Sequence, residues 1–224
     1  TLLDRVSPNL RKNSQRYKEL LLQAQAQSNN WHEVKQLASE RKTVISHEQQ
    51  NEWMKRAIAG LSSDSSLSLD YLRKLYKDMP DEIRDDDEAL HTYVQALLQR
   101  QAYGDARVVI QEAMRKRWRP ALMPDYVNAA EHDSVTSQLK MCDAWANLGY
   151  NDHQLSTAAG QLCLRAQVWG QAKKNFEDAI RTAPTAINYA GLAQALRGMG
   201  DINAAQTAEQ QATQLNQVKV LDTH

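Results

Sequence analysis

The sequence predicts an all-α chain built as a stack of helix hairpins, an α-solenoid, and three observations predict it. Helix breakers are few: eight glycines and five prolines in 224 residues. Ala, Leu, Gln, Glu, Lys and Arg dominate, and these favour helices over strands. Apolar residues recur at i, i+3, i+4 and i+7, the period of a helix with one buried face. Residues repeat every 33 positions, at Ala113, Ala146, Ala179 and Ala212, and seven residues earlier at Ala106, Leu139, Ala172 and Ala205, all small but Leu139. Seven residues are two helical turns, so each pair shares one face. Small side chains there let neighbouring helices approach closely.

From the N-terminus, Leu10 to Ala26, Trp31 to Arg41, His47 to Leu61 and Leu67 to Met79 read as helices outside this register. They form one or two divergent helix pairs over 1–80. Ser62 to Ser66 is read as a polar linker carrying capping residues for the helix after it. Asp85, Asp86, Asp87 and Glu88 mark a helix start, where carboxylates meet free N–H groups.

The first pair in register covers 85–118. Leu90, Tyr93, Val94 and Leu97 lead through a break at Tyr103-Gly104 into Ala106, Val109, Ile110 and Ala113. The copy over 119–150 is degenerate: Pro120 and Pro124 leave little room for a first helix within Met123 to Asp133, while Val135 to Asn147 keeps the phase. Over 152–184, Leu155, Ala159, Leu162 and Cys163 lead through Trp169-Gly170 into Ala172, Phe176 and Ala179, and Pro184 ends the unit. Over 186–217, Tyr189, Leu192 and Leu196 lead through Gly200-Asp201 into Ala205, Ala208 and Ala212. Hairpins of this size hide their apolar faces only by stacking, and the Gln-rich stretch from Glu209 to Gln217 suits a polar end face. The expectation is a single domain over 1–224.

Charge and motifs exclude several classes. Lys plus Arg equals Asp plus Glu at 27 each, so the overall field favours neither nucleic acid nor an anionic membrane. The run Arg115-Lys116-Arg117-Trp118-Arg119 sits at a helix end, where cations complement the dipole. Cys142 and Cys163 fall on apolar helix faces and are expected as reduced, buried thiols. No apolar run reaches the ~18 residues of a membrane span, so this segment is expected to be soluble. There is no phosphate loop, nucleophile elbow or HExxH element, and no enzymatic activity is expected. The six histidines are scattered, so no metal or cofactor is expected.

Gly160, Ala172, Phe176, Ala179 and Pro184 stand at the spacing of tetratricopeptide repeats, as do Tyr189, Leu192, Ala193, Ala205 and Ala212 one unit later. Glu209 departs from the large apolar residue expected one repeat after Phe176, which suggests an end unit facing solvent. More narrowly, Gly160-Gln161-Leu162-Cys163-Leu164-Arg165 followed by Trp169-Gly170-Gln171-Ala172 resembles the C-terminal region of the proteobacterial HemY family. These are tetratricopeptide proteins associated with haem biosynthesis. The resemblance implies a right-handed superhelix and a non-catalytic scaffold for late haem-biosynthetic enzymes at the bacterial inner membrane. It also implies a membrane-spanning N-terminal part absent from this sequence, with this domain on the cytoplasmic face. A direct haem or porphyrin carrier, and a peptide-binding repeat protein of envelope assembly, are the alternatives; self-association stays open.

A helix-hairpin array presents the first helix of each pair to a partner. Gln95, Asn128, Gln161 and Gln194 recur at the repeat interval on those helices, and each carboxamide both donates and accepts. Gln is common in this chain, so the ladder is a candidate only. His91, Arg165 and Arg197 lie on neighbouring turns and complete the candidate groove.

Overall fold

The structure is a computed structural model that describes residues 14–131 and 133–221, with side chains described through 217. Among the described residues there are thirteen α-helices, one 3-10 turn and no strand, so the chain is all-α. It divides into two compact units, Thr1–Ala102 and Tyr103–His224. The division falls within the helix pair expected over 85–118.

The first unit contains α1 (Gln15–Gln27), α2 (Trp31–Ala38), α3 (His47–Ser63), α4 (Leu69–Lys77), α5 (Asp81–Arg84) and α6 (Asp87–Gln99). Four starts carry the side-chain caps that orphan N–H groups call for. Ser14 accepts from Tyr17 N, Ser68 from Tyr71 N, and Asp86 from Ala89 N. Ser46 and Gln49 form a reciprocal capping box. α1 packs on α2, α2 on α3, and α3 on α6, burying Leu22, Val34, Ile58, Leu61 and Leu97.

Lys55 of α3 pairs with Asp86. Burial opposes ionisation of Asp86, but the Lys55 ammonium and the N–H groups of Ala89 and Glu88 outweigh it and hold the carboxyl below its usual range. The first predicted helix begins at 10, and 10–13 lie outside the described residues. The serine linker needs correction. α3 runs on to Ser63 and buries Ser62 completely, and the cap of α4 is Ser68, beyond the run.

The second unit contains α7 (Tyr103–Lys116), the 3-10 turn Pro120–Leu122, α8 (Met123–Asn128), α9 (Val135–Asn147), α10 (His153–Arg165), α11 (Trp169–Thr182), α12 (Ala186–Gly198) and α13 (Ile202–Leu221). From α9 onward each helix packs on the next, and α10 also meets both α8 and α12. Sequence neighbours are thus spatial neighbours, and the alternate helices α8, α10 and α12 form a second line of contact. Of the alanine series, Ala113, Ala179 and Ala212 are buried. Ala146 is exposed, because the shortened α8 provides no full helix for it to face.

The predicted breaks at Tyr103-Gly104 and Trp169-Gly170 also need correction, since both pairs open a helix, α7 and α11. The turn lies just before them. Gln101 and Gln167 both adopt φ 57, and Gly200, one repeat further on, adopts φ 84. A left-handed residue at a helix C-terminus lets the last carbonyls be satisfied as the chain reverses. In a non-glycine residue it costs about 1–2 kcal/mol. The degenerate copy lacks the device: Ser134, at the same register position, has φ −95.

Two residues after such turns stand tryptophans that lock hairpins together. A Cβ added at Gly198 would lie 2.3 Å from the Trp169 ring, and one at Gly60 would lie 2.2 Å from the Trp31 ring. The interval from tryptophan to glycine is the same in both cases, and left-handed Asn29 precedes Trp31 as Gln167 precedes Trp169. The first unit therefore repeats the joint of the second although the repeat phase has slipped. Phe176 is held still more tightly. Its ring is fully buried in α11, with Gly160 of α10 on one side and Gly191 of α12 on the other. A Cβ would approach the ring to 2.9 Å at Gly160 and 2.3 Å at Gly191.

Gly191→Ala is therefore expected to lower the unfolding free energy by about 1–3 kcal/mol, the usual cost of overpacking. Gly170→Ala, where a Cβ meets nothing within 4 Å, should be neutral or stabilising by up to about 1 kcal/mol through helix propensity. Urea unfolding of both variants checks this, and equal effects at the two glycines would contradict the packing described.

Candidate functional site

The site begins with a short helix that its own residues barely sustain. α8 has six residues and no side-chain cap at its start, and the carbonyls at its end take further donors from outside the helix. Three side chains from three other helices supply donors. Gln138 Nε2 of α9 donates to Tyr126 O at 2.5 Å, and Arg107 Nη1 of α7 donates to Ala129 O at 2.6 Å. Arg165 Nη1, from the end of α10, donates to Val127 O at 2.6 Å and Ala130 O at 3.2 Å. Arg100 serves α3 in the same way in the first unit, donating from Nη1 to Ser62 O at 3.1 Å.

Arg165 is thereby fixed in place by backbone carbonyls. Among the described residues no carboxylate pairs with it, whereas Arg107 also reaches Glu131 at 2.9 Å. Fixing an arginine through carbonyls leaves its full positive charge, and its remaining N–H groups, facing outward.

Beside Arg165, a hollow of about 360 Å³ is lined by Val127, Asn128, Gln161, Leu164, Arg165 and Gln194. Four of the seven candidate groove residues thus converge on one place. Among the described residues the amides of Asn128, Gln161 and Gln194 form no hydrogen bond. Gln161 also lines a second hollow of about 610 Å³, a volume in the range of ligand sites. That hollow takes His153, Thr157 and Ala158 from α10, Ile187 and Asn188 from α12, and Leu215 from α13. The two make one trough along α10, with Gln161 at the junction.

The trough floor is held by a buried polar tie. Asn188 is 1% exposed. Thr157 donates to its Oδ1 at 2.6 Å, while its Nδ2 donates to Ala183 O at 3.0 Å. A buried amide so satisfied fixes the register of α10 against α12. By contrast Ile187, on the trough wall, is 63% exposed, an apolar side chain offered to solvent. His153, Thr157, Ile187, Asn188 and Leu215 are not singled out by the sequence. Part of the signal is there: His153, Thr157, Gln161 and Arg165 follow one another at four-residue steps, a single helix face.

The other candidates fall elsewhere. Arg197 turns to its hairpin partner and grips Glu209 through two contacts, 2.5 and 2.6 Å. Glu209, expected at a solvent-facing end, is half-buried by that pairing. His91 is exposed on α6 and Gln95 half-buried there, both in the first unit. The basic run is divided: Arg115, Lys116 and Arg117 are exposed, whereas Arg119 is only 5% exposed and Trp118 is drawn into the fold. The Trp118 ring stacks on Tyr150 at 4.3 Å and meets Trp145 edge-on at 5.7 Å. Its Nε1–H donates to Asp152 Oδ2 at 2.6 Å, while Asp152 Oδ1 caps α10 through Leu155 N at 3.0 Å. One carboxylate thus joins the degenerate copy to the next helix.

Among the described residues no group of three His, Cys, Asp or Glu is placed to hold a metal ion, and no helix is long and apolar enough to cross a membrane. His132 and His224 lie outside the described residues. No family model, curated protein or solved structure matches the chain.

Both cysteines are free thiols in the core. Burial pushes Cys142 up to about 12 and raises Cys163 as well, against the hydrogen bond from Asn175. Because the thiolate is the reactive form, iodoacetamide at pH 8 is expected to leave both unmodified in the native protein and to label both in guanidinium. Mass spectrometry reads the outcome, and rapid native labelling of Cys142 would contradict the burial.

Proposed function

We propose that the chain is a non-catalytic interaction scaffold whose second unit docks a partner protein in the trough along α10. The observation that supports this reading is the convergence of Asn128, Gln161 and Gln194, with uncommitted amides, beside the fixed Arg165. Such a set recognises hydrogen-bonding groups and negative charge without performing chemistry on them. In this reading the hairpins continue as a tetratricopeptide-like, right-handed superhelix, and the line of alternate helices carries the docking face.

The resemblance of residues 160–172 to the HemY family extends the proposal to the partner. The scaffold gathers late haem-biosynthetic enzymes at the bacterial inner membrane, through an anchor outside this sequence and with this domain on the cytoplasmic face. It needs no cofactor of its own.

The test is binding of purified late haem-biosynthetic enzymes to the immobilised chain, with the double variant Gln161→Ala, Gln194→Ala in parallel. Binding that weakens at least ten-fold with an unchanged melting temperature is expected. Equal binding by the variant would remove the trough from the account, and no binding by either protein would remove the haem-enzyme assignment.

A further inference from the structure

The walls of the trough specify more than a generic partner, because their chemistry changes along its length. At one end Ala158, Ile187 and Leu215 offer an apolar hollow. In the middle stands Gln161, an uncommitted donor and acceptor. At the other end stands Arg165, held by two carbonyls and paired with no carboxylate among the described residues. Neither hollow is lined by any Asp or Glu. The electrostatic demand is therefore one-sided: a fixed arginine faces a partly apolar channel that no carboxylate lines.

A charge left without a counter-ion favours an anion from the occupant. The lateral amides favour an occupant with free N–H and C=O groups along its length, as extended backbone has. The middle of the apolar hollow is marked on α10 by Thr157. Eight residues separate it from Arg165, about 12 Å along a helix axis. An extended chain advances about 3.3 Å per residue, so that distance is three or four residues of a bound segment.

We infer that the trough takes an extended internal peptide segment with an aliphatic side chain in the Ile187–Leu215 hollow and an aspartate or glutamate three or four positions away at Arg165. This rests on the trough being the docking site proposed above, and it names the partner's recognition element. The carbonyl contacts of Arg165 preset its guanidinium, so the occupant orders little of the protein on binding.

The test is selection of a library of heptapeptides, blocked by acetyl and amide groups, on the full chain, followed by fluorescence anisotropy of the best binders. Enriched peptides should carry an aliphatic residue and an acid three or four positions apart. Their affinity should fall at least ten-fold when the acid is replaced by its amide, at least ten-fold with Ile187→Ser, and progressively with added salt. Arg165→Gln should abolish the preference for the acid. Where that variant melts early, the acid-to-amide peptide makes the same measurement on the native protein.

Binders indifferent to the acid but weakened by Gln161→Ala would overturn this inference and leave the docking trough standing. No enrichment, or binders unaffected by both Ile187→Ser and Gln161→Ala, would overturn the two together.

Discussion

The ring of Phe176, the chain's one phenylalanine, lies between two helices that can approach it only because each has a glycine at the point of contact. Gly160 and Gly191 belong to α10 and α12, and these two helices carry most of the trough. Filling the gap with a flat apolar ring is worth about 1.5–3 kcal/mol in burial alone. It also sets the separation of α10 from α12, and with it the reach of Thr157 to Asn188 and of Gln161 toward Gln194. Trp169 against Gly198 repeats the arrangement close to the hairpin reversal. The trough is in this sense a consequence of core packing: the large side chain of one helix and the missing side chains of its neighbours decide where the walls stand.

Much of this can be read from residues alone. The helices over 135–147, 153–165, 169–182 and 186–198 follow from apolar period and from stop signals such as Pro184, and the small residues at 172, 179 and 205 are buried as the repeat demands. The turns before Tyr103 and Trp169 are misplaced by sequence because Gln101 and Gln167 look like ordinary helix formers. Nothing in a glutamine announces a left-handed conformation, which only the geometry of the completed hairpin imposes. The first unit hides its joint for another reason. The pairing of Trp31 with Gly60 keeps the interval of Trp169 and Gly198 while the alanine register does not persist, so a search by a fixed period misses it.

The candidate site is legible where it depends on helix phase and obscure where it depends on tertiary hydrogen bonding. Asn128, Gln161 and Gln194 share a register, and the structure brings them to one hollow. Arg165 and Arg197 look equivalent in sequence at neighbouring positions of successive repeats. Their fates differ because Arg165 finds the carbonyls at the end of the shortened α8, whereas Arg197 finds Glu209 on its own hairpin. The degeneracy of one repeat thus has a positive effect. The short α8 presents its carbonyl end to Arg165, and that contact places a cation, paired with no carboxylate among the described residues, beside the trough.

The claim on which this account rests most heavily is that the Phe176 ring occupies the space a Cβ at Gly191 would need. A double-mutant cycle of Phe176→Leu and Gly191→Ala, followed by urea unfolding, tests it directly. The two destabilisations are predicted to be strongly non-additive, with a coupling of at least about 1 kcal/mol, because leucine lacks the ring atoms that the new methyl would strike. Additive losses would contradict the account, since they would mean that the ring and the glycine do not share that space.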